Sequence, residues 1–92
     1  MYVPISEDSF NNLEVINTIL IVDDTEKSQE FKKRLDIFTE YYPIGIMFNS
    51  EYEKIFKTSS PAPFVITFTN FDSLSNPIIS TCEQFIEILK SN

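Results

Sequence analysis

The sequence predicts an α/β domain, in which a mixed central β-sheet carries helices on both faces. Two uninterrupted apolar runs, Thr18–Val22 and Ile44–Phe48, are typical of strands that are covered on both sides. A third stretch, Pro63–Phe68, is rich in residues of high β-propensity and is bounded by turn formers, which predicts a central strand. Segments with helical spacing separate these runs. The predicted order is therefore β-α-β-α-β-α-β-β-α, with parallel crossovers and a final antiparallel hairpin.

The first predicted strand is the short extended segment Tyr2–Ile5, which Pro4 assigns to an edge of the sheet. A helix is predicted from about Ser6 to Asn17, with Ser6 as its N-cap. Its apolar face is formed by Phe10, Leu13 and Ile16.

The turn Asp23–Glu26 ends the strand Thr18–Val22 and caps a helix that is predicted from Thr25 to about Tyr41. The apolar positions of this helix are Phe31, Leu35, Phe38 and Tyr42. The basic triplet Lys32–Arg34 lies between them and is interpreted as a solvated face.

Pro43 ends that helix and precedes the strand Ile44–Phe48. Asn49 and Ser50 open a short helix with apolar members Tyr52, Ile55 and Phe56. The fourth strand is predicted from Phe64 to Thr69.

The segment Pro77–Ile79 is the predicted hairpin partner of that strand, and the last helix follows it. Ser80–Glu83 fits the capping-box pattern at the start of this helix. Its apolar face is predicted to consist of Phe85, Ile86, Ile88 and Leu89.

Composition excludes several kinds of site. The 92 residues suffice for one domain and include one glycine, one cysteine and no histidine. A glycine-rich phosphate loop, an internal disulfide, a histidine-dependent nucleophile and an imidazole metal site are therefore not available.

The net charge of -7 disfavours nucleic acid and anionic membranes as partners. The abrupt start at Tyr2 suggests a single domain, residues 1–92, excised from a larger multidomain chain.

Cys82 falls in the first turn of the last predicted helix. We interpret it as a buried small hydrophobic residue. The alternative is a reactive thiol, because the helix dipole would lower the pKa of an exposed cysteine there.

This order of elements, with Pro63 directly before a strand that ends in Phe68, resembles the thioredoxin fold. The resemblance implies a cis-proline at Pro63, although an ordinary trans-proline at the end of a loop is equally open. In redox members a Cys-x-x-Cys motif follows the first covered strand, whereas Val22–Ser28 contains no cysteine. The resemblance therefore implies a domain without thiol–disulfide exchange.

An ordered set of segments resembles the non-catalytic b-type domains of protein disulfide isomerases. These segments are Glu30–Phe31, Pro43–Ile46, Ser50–Phe56, Phe64–Asp72 and Phe85–Asn92. The resemblance implies a spacer or interaction domain that is not an enzyme and needs no cofactor. Its partners would be unfolded polypeptide, a partner protein or flanking domains of the same chain. It further implies a monomer in the lumen of the endoplasmic reticulum.

An exposed apolar patch would serve such an interaction. The candidates are Tyr41 and Tyr42, next to Pro43 at a helix end, and Phe71 with Leu74 in the hairpin turn. The favoured interpretation is that they are core or half-buried side chains, because a short chain needs large residues to fill its core.

Two alternatives remain open at the sequence level. The chain could be a small cytosolic thioredoxin-like adaptor or non-thiol enzyme, with Asp23, Asp24 and Pro63 as its cluster. Asp23 and Asp24 are more simply interpreted as helix caps. A calcium-binding domain of the calsequestrin type ranks last, because its acidic residues are usually much denser than the fourteen found here.

Overall fold

The bounds of the elements come from a computed structural model, which describes residues 2–6, 16–58, 60–68 and 78–90. Five strands, three α-helices and one 3₁₀ helix lie within these ranges. The strands are β1 (Tyr2–Pro4), β2 (Thr18–Val22), β3 (Ile44–Phe48), β4 (Phe64–Thr67) and β5 (Ile78–Thr81). The α-helices are α1 (Glu26–Leu35), α2 (Asn49–Phe56) and α3 (Cys82–Lys90), and the 3₁₀ helix spans Asp36–Glu40.

The strands form one mixed sheet in the order β1-β3-β2-β4-β5. β3 runs parallel to both β1 and β2, whereas β4 is antiparallel to β2 and to β5. The predicted α/β class, the mixed sheet and the edge position of β1 are confirmed for the described residues. The prediction that Pro63–Phe68 supplies the central strand is wrong, because β2 holds the centre and β4 lies between β2 and β5.

β2 is covered on both faces, as its uninterrupted apolar run predicts. On one face, Ile19 and Ile21 pack in a core with Met47 of β3 and Tyr52 of α2. On the other face, Leu20 and Val22 belong to a second core. Side chains of α1 and α3 complete this second core, among them Phe31, Leu35, Phe85 and Ile86. Helices therefore lie on both faces of the sheet, with α2 opposite α1 and α3.

α1 is shorter than the sequence predicts, because regular α-helix ends at Leu35 and a 3₁₀ turn follows. The Thr39 hydroxyl donates to the carbonyl of Asp36 at 2.7 Å, and the Tyr41 N–H donates to the carbonyl of Phe38 at 3.1 Å. Both bonds span three residues, which tightens this last turn. The tightening rotates Tyr42 out of the apolar row to which its helical spacing assigns it.

α3 begins one residue later than its predicted capping box. The N–H of Gln84 donates to the Thr81 hydroxyl at 3.1 Å, and the Thr81 N–H donates to the Gln84 side-chain oxygen at 2.9 Å. Ser80 cannot be the N-cap, because Thr81 would then be the first helical residue, and Thr81 still belongs to β5, opposite Phe64. The shift leaves Phe85 and Ile86 buried, whereas the prediction that Ile88 lines the core is wrong, since Ile88 is exposed.

Several predictions lie outside the described residues: most of the helix predicted for residues 6–17, and the hairpin turn that contains Phe71 and Leu74. Among the helices that are described, none is both long and apolar enough to cross a membrane.

Candidate functional site

Three chain segments converge at the end of the sheet where β2 terminates. Ile21, near the end of β2, lies opposite Phe64 at the start of β4, and Phe64 lies opposite Thr81 at the end of β5. The start of α1, the loop before β4 and the start of α3 therefore all emerge at this end. A parallel–antiparallel sheet of this order brings together residues that are more than fifty positions apart in the sequence.

The first segment, the turn into α1, is fixed by the side chain of Asp23. Its Oδ1 accepts from the Thr25 backbone N–H at 3.0 Å, from the Ser28 hydroxyl at 2.7 Å and from the Thr25 hydroxyl. Thr25 is the N-cap of α1, and its hydroxyl accepts from the Ser28 N–H at 3.4 Å. Ser28 is fully buried and its Oγ also accepts from the Asp23 N–H at 3.1 Å.

These hydrogen bonds keep the pKa of the Asp23 carboxyl below its usual value. The Thr25 hydroxyl is the largest cause, followed by the Ser28 hydroxyl and the Thr25 backbone N–H. Because each bond stabilises the ionised carboxylate, Asp23 is a poor proton donor or acceptor near neutral pH. The prediction that Asp23 and Asp24 are helix caps is wrong, because Thr25 is the N-cap. The Asp23 carboxylate instead binds Thr25 and Ser28, and Asp24 is exposed. Within the described ranges, no three acidic, cysteine or histidine residues are grouped to hold a metal ion.

The second segment is the loop that enters β4. The Ala62–Pro63 peptide bond is cis. The side-chain amide of Asn49, at the start of α2, donates to the carbonyl of Ser60 at 3.3 Å. This contact ties the loop to the opposite face of the sheet. Pro63 is half-buried and directly precedes Phe64 of the core.

The third segment is the first turn of α3, which contains Cys82. This side chain is buried with the core residues beneath α1 and α3. Burial, with a smaller contribution from the Glu83 carboxylate, raises the pKa of its thiol to about 12, although the charges of Lys27 and Arg34 oppose this rise. The thiol is therefore protonated at physiological pH. A protonated, buried thiol is neither a nucleophile nor a metal ligand.

Together the three segments enclose a groove of about 330 Å³, which we call the α1–α3 groove. It is lined by Lys27, Glu30, Phe31, Arg34, Pro61, Ala62, Pro63, Thr81, Cys82 and Glu83. Four charged side chains of the lining belong to α1 and α3. The apolar members, which we call its apolar floor, are Phe31, Pro61, Ala62, Pro63 and Cys82. A second hollow of about 230 Å³ shares Pro61, Pro63 and Thr81 with it and extends toward Ile79 and Gln84 of the β5–α3 margin.

Arg34 is held in place by an aromatic contact within the groove. Its guanidinium lies 5.5 Å from the centroid of the Phe31 ring. Phe31 is buried and immobilised by the core, so this stacking restrains the long arginine side chain at one side of the groove. A restrained guanidinium loses less conformational entropy when it donates to a ligand.

Tyr41 and Tyr42 lie away from this groove, at the far end of the 3₁₀ helix. They are 78% and 50% exposed, so the interpretation of these two residues as core or half-buried side chains is wrong. Phe71 and Leu74 fall outside the described residues. Sequence reasoning named Pro63, Asp23 and Cys82, but it overlooked Lys27 and interpreted Arg34 as part of a solvated face. Lys27 and Arg34 are seven positions apart, which is two turns along one face of a helix. This spacing was the signal that could have identified them.

Comparison of this chain with family models, with curated proteins and with solved structures yields no match.

Proposed function

We propose that this chain is a redox-inactive thioredoxin-like domain that binds extended polypeptide in the α1–α3 groove. In this role it resembles the non-catalytic b-type domains of protein disulfide isomerases. The observation that carries the proposal is the groove itself, which joins the start of α1, the loop before β4 and the start of α3. In the thioredoxin fold the redox site occupies the corresponding place.

The order and direction of the strands support the thioredoxin-like assignment. A sheet ordered β1-β3-β2-β4-β5, in which β4 alone runs opposite to the other four strands, agrees with that resemblance. The cis Ala62–Pro63 peptide directly before β4 agrees with it as well.

The chemistry of the groove supports binding rather than catalysis. The turn after β2 presents Asp23, Thr25 and Ser28 to one another, and their hydrogen bonds are satisfied locally. Neither Asp nor Thr forms a mixed disulfide, and the thiol of Cys82 is protonated and buried. Without a thiolate, disulfide exchange has no attacking group.

The size and lining of the groove suit short stretches of polypeptide. A volume of about 330 Å³ lies at the lower end of the range of ligand pockets, roughly 300–1,000 Å³. The apolar floor can accept an aliphatic side chain, while Arg34 and Glu83 can hydrogen-bond the backbone groups of an extended ligand. Because both positive and negative side chains line the groove, it does not select a ligand of one sign of charge. This is expected for a site that accepts many sequences.

The binding proposal is tested by nuclear magnetic resonance titration with a reduced, carbamidomethylated polypeptide. We expect shift changes to cluster at the groove residues of α1, α3 and the loop before β4. Arg34→Ala should weaken binding about fivefold, equivalent to roughly 1 kcal/mol, because it removes a pre-ordered donor. Lys33→Ala is the matched control, since Lys33 lies on the same helix but borders a separate hollow with Tyr2 and Asp36.

Two outcomes of this titration would contradict the binding proposal. If no contiguous surface responds even at millimolar peptide, the domain acts as a spacer between other domains. Equal weakening by Arg34→Ala and Lys33→Ala would likewise show that the α1–α3 groove is not the binding site.

We further propose that the domain belongs to a larger disulfide isomerase-like chain of the endoplasmic reticulum. The coding sequence on either side of these 92 residues tests this. Neighbouring Cys-x-x-Cys domains and a retention signal would support it, whereas stop codons directly next to both ends would contradict it.

A further inference from the structure

We propose that the α1–α3 groove prefers polypeptide segments in which an acidic and a basic residue flank an apolar one. The acidic side chain meets Lys27 and Arg34 on the α1 side, and the basic side chain meets Glu83 on the α3 side. This inference rests on the proposed groove function, because it names the class of segment that binds best among the many that the groove accepts.

The charged side chains of the groove differ in sign between its two helical sides. α1 contributes two cations, Lys27 and Arg34, and one anion, Glu30, whereas α3 contributes Glu83. In the ranges that the structure describes, no ion pair joins two of these four charges. The groove therefore separates the α3 carboxylate from the α1 cations by more than ion-pair distance, and a ligand of mixed charge can bridge them.

The two cations of α1, rather than Glu30, are directed toward the apolar floor. With about 3.6 residues per turn, Lys27 and Arg34 lie about 40° and about 60° from Phe31 around the helix axis. Glu30 lies about 100° from Phe31, on the outer side of the two cations. Phe31 is buried and belongs to the floor, so its direction marks the inner side of α1. α1 therefore presents mainly positive charge to the groove.

The Cys82 thiol gives independent evidence for this arrangement. Burial is the largest cause of its raised pKa, the Glu83 carboxylate adds to the rise, and Lys27 and Arg34 oppose it. Glu30 is not among the causes. Because electrostatic interactions weaken with distance, the thiol lies near these three charges. Cys82 is thus at the boundary between the positive and negative sides, on the part of the floor that an apolar ligand side chain would cover.

Arg34 is the stronger of the two cationic partners for a ligand carboxylate. An exposed ion pair is usually weak, because two flexible side chains must be held in one geometry. The guanidinium of Arg34 is already restrained 5.5 Å from the centroid of the Phe31 ring. Its planar fork can hold a carboxylate through two parallel hydrogen bonds, whereas the Lys27 ammonium acts as a point charge.

Nuclear magnetic resonance titration of the wild-type domain with nine-residue peptides tests the preference. The peptides have blocked termini, are otherwise uncharged, and carry Glu-Leu-Lys, Lys-Leu-Glu, Gln-Leu-Gln, Glu-Leu-Glu or Lys-Leu-Lys at the centre. We expect the mixed-charge peptide, in the better of its two orders, to bind about fivefold more tightly than Gln-Leu-Gln. Glu-Leu-Glu and Lys-Leu-Lys should gain less, because one of their charges faces a side of the groove with the same sign. In about 1 M salt, where the screening length is about 3 Å, these differences should largely disappear.

Substitution of Glu83 tests which side of the groove meets the basic residue. Glu83→Gln should bind a Glu-Leu-Lys peptide no more tightly than a Glu-Leu-Gln peptide, whereas wild type should distinguish the two. Arg34→Gln should likewise reduce the benefit of the acidic residue. Glu87→Gln is the matched control, since Glu87 is an exposed carboxylate of α3 that does not line the groove. It should keep the wild-type preference. Far-ultraviolet circular dichroism confirms that each variant is folded.

The outcomes separate this preference from the groove function on which it rests. Equal binding of the mixed-charge and uncharged peptides, or tighter binding of Glu-Leu-Glu or Lys-Leu-Lys, would overturn the preference and leave the groove function standing. An equal loss of preference in Glu87→Gln and Glu83→Gln would do the same, because the attraction would then come from the overall charge of α3. Failure of every peptide to bind would also overturn the preference. If the carbamidomethylated polypeptide fails to bind as well, the groove function is overturned with it.

Discussion

The carboxylate of Asp23 accepts hydrogen bonds from two residues of the helix start that follows it. Its Oδ1 is within bonding distance of the Thr25 N–H and of the Ser28 hydroxyl. Asp24, its neighbour in sequence, is exposed. Two adjacent aspartates of the same charge therefore have different physical roles. A cation-binding or acid–base site would need both carboxylates to be available, whereas a helix start needs only one.

We predict that Asp23→Ala lowers the midpoint of thermal unfolding at neutral pH and that Asp24→Ala changes it little. The pKa of Asp23 is below its ordinary value of 3.8, so its contribution to stability is present above that pH. The contribution disappears as pH falls through the lower pKa of the folded state. The gap in midpoint between wild type and Asp23→Ala should therefore close below pH 3.8, as measured by circular dichroism. Equal effects of the two substitutions would contradict the role of Asp23 in holding the start of α1 through Thr25 and Ser28.

The exposure of Tyr41 and Tyr42 shows what helical spacing alone cannot predict. Phe31 and Leu35 are buried as their spacing predicts, but the continuation to Tyr42 assumes that the α-helical repeat persists. The 3₁₀ turn begins at Asp36 and changes the rotation per residue. Phe38 still packs against the core, but Tyr41 and Tyr42 are exposed. The burial of Cys82, by contrast, was predictable, because it precedes buried Phe85 by three positions in a helix whose direction is fixed by β5.

At the scale of elements, strands were predicted more accurately than helix ends. β2 and β3 have the bounds that their apolar runs indicate, because a strand that is covered on both faces is apolar along almost its whole length. The start of α3 was displaced by one residue because both Ser80 and Thr81 can cap a helix, and both are followed three positions later by a suitable acceptor. The pairing of Thr81 with Phe64 decides between them, because it extends β5 through Thr81, and that pairing is not visible in local sequence.

Thr81→Ala should destabilise the domain by about 1 kcal/mol, the usual effect of losing an N-cap hydroxyl. The Thr81 hydroxyl accepts from the Gln84 N–H, and this bond has no replacement in alanine. Ser80→Ala serves as the control, because the capping bonds at this helix start are made by Thr81 and Gln84. Urea unfolding of both variants measures the difference. A larger loss for Ser80→Ala would mean that the helix starts where the sequence pattern first suggested.

The α1–α3 groove belongs to the scale of the whole molecule, since no single element contains it. The sequence indicated each of its three segments: a capped turn after β2, a proline before β4 and a capped start of α3. Their convergence depends on β4 lying antiparallel between β2 and β5, a tertiary feature that local patterns do not encode. Lys27 and Arg34 become functional candidates only once the opposite side of the groove is known.

A gain-of-function substitution tests whether this arrangement is that of a thioredoxin-like scaffold. The hydroxyls of Thr25 and Ser28 are 3.3 Å apart at the start of α1. Two residues separate them in the sequence, as in a Cys-x-x-Cys motif. In a Cys82→Ala background, Thr25→Cys with Ser28→Cys should form an intramolecular disulfide. The helix start lowers the pKa of the first thiol, so the reduced pair should reduce insulin disulfides while dithiothreitol regenerates it.

The control for this experiment is the same spacing at the start of another helix. Phe48→Cys with Glu51→Cys places two thiols at the N-cap and third helical position of α2, on the opposite face of the sheet from α1. These thiols share the helix-terminal position but do not line the α1–α3 groove, so we expect little insulin reduction from them. Turnover by the α1 pair well above that of the α2 pair is the expected result. Equal turnover would mean that the groove contributes nothing to disulfide chemistry, and the thioredoxin-like assignment of this end of the molecule would be wrong.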